Sequence, residues 1–181
     1  MMMSNIMKNL SNLQKGTIVE GKWHRNRYYI LNKLGSGATG TVYLAARNNR
    51  KVALKLSENS MSITSEVNVL KSIPKVQGCS LGPSFIDADD WVSAAGKIPF
   101  YVMEYIEGPD FLTFARNKGM AWMEVLIIQL LGDLQKLHER GWIFGDLKPE
   151  NLIVTGPSPR IRCIDVGGIT LIGRAVKEYT E

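Results

Sequence analysis

Residues 145–154 read Gly-Asp-Leu-Lys-Pro-Glu-Asn-Leu-Ile-Val, and Ile164-Asp165-Val166-Gly167 follows a short turn. Asp146, Lys148 and Asn151 place a carboxylate, a cation and an amide oxygen within six residues. A carboxylate that accepts a proton, a cation for phosphate oxygens and an amide that can ligate a metal suit phosphoryl transfer, where catalysis is mostly positioning and charge stabilisation. Asp165 adds a second oxygen ligand of the kind Mg²⁺ prefers.

Upstream, Gly35-x-Gly37-x-x-Gly40 is a weak signal alone, because glycines also cluster in ordinary hairpin turns. The dinucleotide-binding version needs a helix directly after it. Thr41, Val42 and Tyr43 favour strand instead, so the segment reads as a glycine hairpin able to cover phosphates with backbone N–H groups. Lys55 ends the apolar run Val52-Ala53-Leu54. A strand lysine is commonly a solvated edge, yet this one follows the glycine hairpin by one strand and could reach phosphates beneath it. Glu66, on the next expected helix, could hold Lys55 in place; Glu58 is the nearer competitor.

The elements that must position these groups fall into two halves. Residues 1–27 read as an extension, with Ile6, Leu10 and Leu13 on one helical face. Strands are expected at Tyr28–Leu31, Thr41–Leu44 and Val52–Leu56, with a turn at Asn48-Asn49. A helix over Thr64–Ile73 should stop at Pro74. Phe85-Ile86, Trp91-Val92 and Phe100–Met103 look like further strands, giving an antiparallel sheet of about five. After Gly108-Pro109 the apolar period changes to that of helices. Asp110 can cap a short helix ending near Gly119, and Ala121–Arg140 forms the longest helix, stopped by Gly141. Because that helix is apolar on most sides from Val125 to Leu131, it should be a buried centre. Strands Leu152–Val154 and Ile161–Ile164 flank Gly156-Pro157-Ser158-Pro159. The reading is a β-rich half, 28–105, and a helix-rich half, 106–181, with a ligand cleft expected between them.

Composition narrows the partners. The chain has 181 residues, 45% hydrophobic and 22% charged, which excludes collagen-like, coiled-coil and disordered classes. No apolar stretch is long enough to span a membrane, and a signal peptide is not expected. A net charge of +5 invites a nucleic-acid reading. However, the densest basic cluster, Lys22, His24, Arg25 and Arg27, is short, and no nucleic-acid partner is expected. Two cysteines, Cys79 and Cys163, make neither a disulfide framework nor a zinc site, which points to a reduced, cytoplasmic protein.

Taken in order, the motifs resemble the eukaryotic-type protein kinase family, including its small bacterial members: the glycine-rich loop with Val42, Val-Ala-Leu-Lys55, Glu66, Met103-Glu104-Tyr105, Leu137-His138-Glu139-Arg140-Gly141, the loop from Asp146 to Asn151, and Asp165-Val166-Gly167. The match runs from about Tyr28 to Thr170. The resemblance implies an α+β, two-lobed fold with an antiparallel N-lobe sheet and a helical C-lobe, here incomplete. It implies serine/threonine protein kinase activity with ATP and Mg²⁺. By position, Gly35, Gly37 and Gly40 would cover the ATP phosphates. Lys55 would hold the α- and β-phosphates, oriented by Glu66. Val42 and Ala53 would roof the adenine and Ile153 floor it. The Glu104 carbonyl and Ile106 amide would hydrogen-bond its edge, with Met103 behind. Asp146 would orient and deprotonate the acceptor hydroxyl, Lys148 would steady the γ-phosphate, and Asn151 with Asp165 would bind Mg²⁺.

Three departures stand out. Phe144-Gly145 replaces the family's His-Arg, which puts activation by loop phosphorylation in doubt. Val166 replaces a Phe, shortening an apolar contact to the helix of Glu66. The chain ends 16 residues after Asp165, short of the helices that in the family support the catalytic loop. A catalytically silent nucleotide-binding regulatory module, a truncated kinase, and a small-molecule phosphotransferase or ATPase are the alternatives. The apolar faces of helix 121–140 exceed what the chain can cover, so self-association or a partner is expected there, or a frayed C-terminal lobe if neither is present, unless the segment around Ile6 to Leu13 folds over them. His138, Cys163, Trp91, Trp122 and Trp142 read as packing residues, and Thr170, Tyr179 and Thr180 as ordinary tail hydroxyls.

Overall fold

In the computed structural model, the described residues are 10, 12–73, 79–94 and 96–173. Ile6, Pro74, Tyr179 and Thr180, singled out above, lie outside them. The chain divides into two compact units, one of Met1–Val67 with Phe85–Tyr105, the other of Asn68–Ser84 with Ile106–Glu181.

The first unit is an antiparallel sheet of six strands: β1 (Ile18–Glu20), β2 (Arg27–Gly37), β3 (Gly40–Arg47), β4 (Arg50–Leu56), β5 (Phe85–Ser93) and β6 (Gly96–Glu104), in the order β1-β2-β3-β4-β6-β5. Helix α1 (Ser60–Ser72) starts in this unit. Asn48 and Asn49 both take positive φ, 49° and 60°, and turn β3 into β4 with Arg47 opposite Arg50. This is the two-residue turn whose twist suits a hairpin, and asparagine tolerates it.

Two expectations are corrected. The 1–27 segment is more than an extension, because β1 lies within it and Val19 is fully buried. Phe85-Ile86 and Trp91-Val92 are parts of one strand rather than two. Asp87, Asp89 and Asp90 interrupt the apolar pattern there, but their carboxylates are satisfied by the turn after β1 and by Tyr28 of β2. Asp87 accepts from Tyr28 Oη (2.6 Å) and Asn26 Nδ2 (2.8 Å), and Asp89 from the backbone N–H of Trp23 and His24. A Cβ on Gly21 would collide with the Asp89 carboxylate, so only glycine allows that approach. Gly21 bridges to Trp91, and the Lys22 N–H donates to the Asp90 carbonyl at 2.8 Å. The two edge strands are thereby bridged at this point, which covers part of the edge an open sheet exposes. In the expected basic cluster, Arg25 and Arg27 pair with Glu20, and His24 with Asp87.

Tyr28, Ile30, Tyr43, Leu54, Leu56 and Phe100 form the core on one face of this sheet. Leu10 and Leu13 pack there too, and the Tyr43 hydroxyl donates to the Leu10 carbonyl at 2.5 Å. These two leucines therefore belong to the core of the sheet.

The second unit holds α2 (Phe111–Lys118), α3 (Met120–Glu139) and two small antiparallel pairs, β7 (Trp142–Phe144) with β10 (Ile169–Leu171) and β8 (Leu152–Thr155) with β9 (Arg160–Cys163). Asp110 caps α2, accepting from the Thr113 N–H at 2.9 Å. Gly141 takes φ 78° just past α3. The expectation of a buried α3 is corrected. Leu126, Leu130, Asp133 and Leu137 form one buried strip, whereas Val125, Ile127, Ile128 and Leu131 are exposed, Ile128 at 69%. One strip of the helix is all that these strands and α2 can cover. Among the described residues no helix is long and apolar enough to cross a membrane.

Candidate active site

The register of the sheet decides which side chains share a face. Lys55 lies opposite Val42 on one side and Tyr101 on the other, and Ala53 lies opposite Leu44 and Met103. Alternation along each strand then puts Val42, Ala53, Lys55, Tyr101 and Met103 on one face, with Tyr43, Leu54, Leu56 and Val102 turned to the core. Gly35 pairs with Val42 and Gly37 with Gly40, so the first two glycines belong to β2, and Ala38 and Thr39 make the turn. Gly40 has φ 137°, and a Cβ there would strike the Leu56 carbonyl, so this is the position where a side chain is excluded.

Lys55 is no solvated edge, since it is 5% exposed and Glu66 3%. Its Nζ donates to both carboxylate oxygens of Glu66 at 2.8 Å, and to Thr39 Oγ1 at 2.9 Å. Glu58 is not the partner. Ser62 Oγ donates to Glu66 Oε1 (2.9 Å) and the Tyr101 hydroxyl to Oε2 (2.6 Å). A buried ion pair persists only when its remaining lone pairs are satisfied, and these hydroxyls do that.

The second group stands on two loops of the other unit. Lys148 Nζ lies 3.2 Å from Asp146 Oδ2. The Gly145 N–H donates to the Gly168 carbonyl at 2.8 Å, and an ideal Cβ on Gly168 would sit 2.5 Å from the Asp146 Cβ. The Asp146 loop therefore rests directly against the turn that follows Asp165. At the base of the β8–β9 hairpin the Ile164 N–H donates to the Asn151 carbonyl (2.9 Å), which brings Asn151 and Asp165 to the same end. Among the described residues, Asn151 Nδ2 is the one buried side-chain polar atom without a hydrogen-bond partner. That nitrogen is a hydrogen-bond donor and not a metal ligand; it is the amide oxygen of Asn151 and the carboxylate of Asp165 that are the hard-oxygen types Mg²⁺ takes together with phosphate and water. Asp165 Oδ1 accepts from the Gly167 N–H at 2.9 Å, which fixes the carboxylate. Among the described residues no three His, Cys, Asp or Glu side chains cluster to form a closed metal cage.

Ile106 is buried, and Ile153 bridges to Asp110, while Gly108 meets the Val154 carbonyl so closely that a Cβ would collide. Phe144 pairs with Ile169 in the β7–β10 ladder, and Val166 is buried beside Gly82. Burial pushes the Cys163 thiol up to about 12, so it is a packing residue. Sequence reasoning missed Thr39, Ser62, Tyr101 and Gly168. Ser62 sits four residues before Glu66 on a helix, a readable signal, but Tyr101 depends on strand register and Gly168 on a tertiary contact.

The protein kinase domain family matches residues 28–180. Serine/threonine-protein kinase YabT of Bacillus subtilis is 57% identical over 183 residues, covering 99% of this chain and 54% of that protein. Sporulation protein kinase mde3 of Schizosaccharomyces pombe is 30% identical over 146 residues, 75% of this chain and 26% of its own length. A probable serine/threonine-protein kinase of Clostridium perfringens is 32% identical over 142 residues, 75% of this chain and 20% of its own. The chain spans about half the length of the Bacillus relative and less of the other two. With the motifs in order, the buried Lys55–Glu66 pair and a family match over most of its length, the chain belongs to the protein kinase family.

Proposed function

We propose that the chain binds ATP with Mg²⁺ and transfers the γ-phosphoryl group to a serine or threonine hydroxyl of a protein. The observation that carries this reading is the buried Lys55–Glu66 pair on the sheet face that also holds Val42, Ala53 and Met103. A charge placed there without a ligand to serve would be a costly way to stabilise a fold.

In this reading the backbone of Gly35, Gly37 and Gly40 covers the phosphates, and Lys55 takes the α- and β-phosphate oxygens. Val42, Ala53, Met103 and Ile153 enclose the adenine, with the Glu104 carbonyl and Ile106 N–H on its edge. Asn151 and Asp165 hold Mg²⁺, which supplies positive charge against the phosphates. Asp146 accepts the proton of the acceptor hydroxyl as its oxygen bonds to the γ-phosphorus. The bond from that phosphorus to the β–γ bridging oxygen breaks, and ADP leaves. Lys148, already facing Asp146, steadies the transferred group. The free thiols Cys79 and Cys163 support a reducing, cytoplasmic setting.

Asp146→Asn separates chemistry from binding. The variant should lose protein phosphorylation by at least ~100-fold, the range general-base catalysis contributes, while its ATP affinity stays within about twofold. Transfer unchanged in the variant would reject Asp146 as the base. ATP binding without transfer in the wild type would mean a binding module.

A further inference from the structure

We propose that Tyr101 is a positioning residue that ties Glu66, and through it Lys55, to the sheet while nucleotide is bound. The inference rests on the phosphate-binding role given to Lys55 above. Three donors surround the Glu66 carboxylate, and they are not equivalent. Lys55 reaches both oxygens from β4, Ser62 reaches Oε1 from within α1, and Tyr101 reaches Oε2 from β6. Ser62 lies one turn before Glu66 on the same helix, so it travels with the carboxylate and anchors it to nothing else.

Lys55 has three N–H donors, and they now go to Thr39 and the two Glu66 oxygens. Phosphates must draw at least one of them away. At that moment the tie between α1 and the sheet weakens unless a second strand also holds the carboxylate. Tyr101 does so, because the register sets it directly opposite Lys55, and its ring is buried so that the hydroxyl cannot wander. At 2.6 Å, an O–H donor on a carboxylate oxygen is in the short, charge-assisted range.

The test compares wild type, Tyr101→Phe, Ser62→Ala, Glu66→Gln and the Tyr101→Phe/Glu66→Gln pair. Tyr101→Phe removes one oxygen and keeps the ring. Its amides in α1 should exchange hydrogen faster than in wild type, by more with Mg·ATP bound than without it, while the sheet amides keep their protection, which a merely structural loss would not achieve. Mg·ATP affinity should fall about tenfold, as expected for losing a hydrogen bond to a charged group. Ser62→Ala should change it less, and Tyr101→Phe should add nothing in the Glu66→Gln background. Unchanged α1 exchange, or an equal further loss in Glu66→Gln, would overturn the proposal. If Tyr101→Phe does not fold, the wild-type hydroxyl proton of Tyr101 decides by NMR. It should stay slowly exchanging when Mg·ATP is added, and its loss on adding nucleotide would refute the tie. A wild type that binds no nucleotide would overturn the kinase reading, while the exchange comparison still tests whether Tyr101 holds Glu66.

Discussion

Gly168→Ala probes how closely Asp146 is placed. The new Cβ would lie 2.5 Å from the Asp146 Cβ and 2.8 Å from its backbone nitrogen, whereas ordinary contacts begin at 3.4 Å. Gly168 does not have a positive φ, so alanine carries no conformational penalty and the effect is steric. Relief requires Asp146 and Gly168 to separate by about 0.9 Å, and the hydrogen bond from the Gly145 N–H to the Gly168 carbonyl passes the displacement to the start of the catalytic loop. A misplacement of about 1 Å at a reacting group costs on the order of 100-fold in rate. Overpacking costs about 1–3 kcal/mol of stability, which leaves a typical domain folded. The assay is radiolabelled phosphoryl transfer at saturating ATP, with ATP affinity and melting temperature measured on the same preparations. The kcat should fall by about two orders of magnitude while ATP affinity is unchanged. Gly132→Ala is the control: nothing lies within 4 Å of a Cβ there. It should stabilise α3 by roughly 0.5–1 kcal/mol and leave kcat alone. A Gly168→Ala enzyme within twofold of wild type would refute the claim that this contact sets the position of Asp146.

Burial pushes the Asp87 carboxyl up, but hydrogen bonds from Tyr28, Asn26 and His24 outweigh it and hold the group below its ordinary value of 3.8. A depressed carboxylate contributes stability above that ordinary value and loses it as pH falls through the folded-state value. Asp87→Asn should therefore lower the melting temperature at pH 7, with the gap closing toward pH 3; a gap constant across that range would contradict the assignment. The exposed strip of Val125, Ile128 and Leu131 should cause self-association at micromolar concentration, and Ile128→Lys with Leu131→Lys should abolish it in light scattering. A wild-type monomer at those concentrations would count against an association surface.

Local chemistry was the readable part of this sequence. Asn48-Asn49, Asp110 and Gly141 each act through their own backbone, so their turn, cap and stop could be placed without knowing the fold. Lys55 and Glu66 were legible because a strand-end lysine followed by a helix glutamate leaves few partners. The strands β1, β7 and β10 were not, since three residues are too few to show alternation and β7 pairs with a strand more than twenty residues away. Strand β5 was hidden by Asp87, Asp89 and Asp90, whose partners sit sixty residues earlier. The burial of α3 was misjudged for a related reason: an apolar face shows what a helix can bury, and the rest of the fold decides how much it does. Tyr101 and Gly168 were invisible because their roles exist only once strands and loops meet.

The central proposal is that the chain binds ATP with Mg²⁺ and that Asp165 is a ligand of the metal. Thermal unfolding across an ATP titration, with and without Mg²⁺, tests it most directly in wild type and Asp165→Ala. A ligand bound by the folded state alone stabilises it by about 2.7 kcal/mol at one hundred times its Kd. The wild type should show a rise in melting temperature that depends on Mg²⁺, and Asp165→Ala should lose the metal-dependent part. Equal shifts in the two proteins, or no shift in the wild type, would contradict the account.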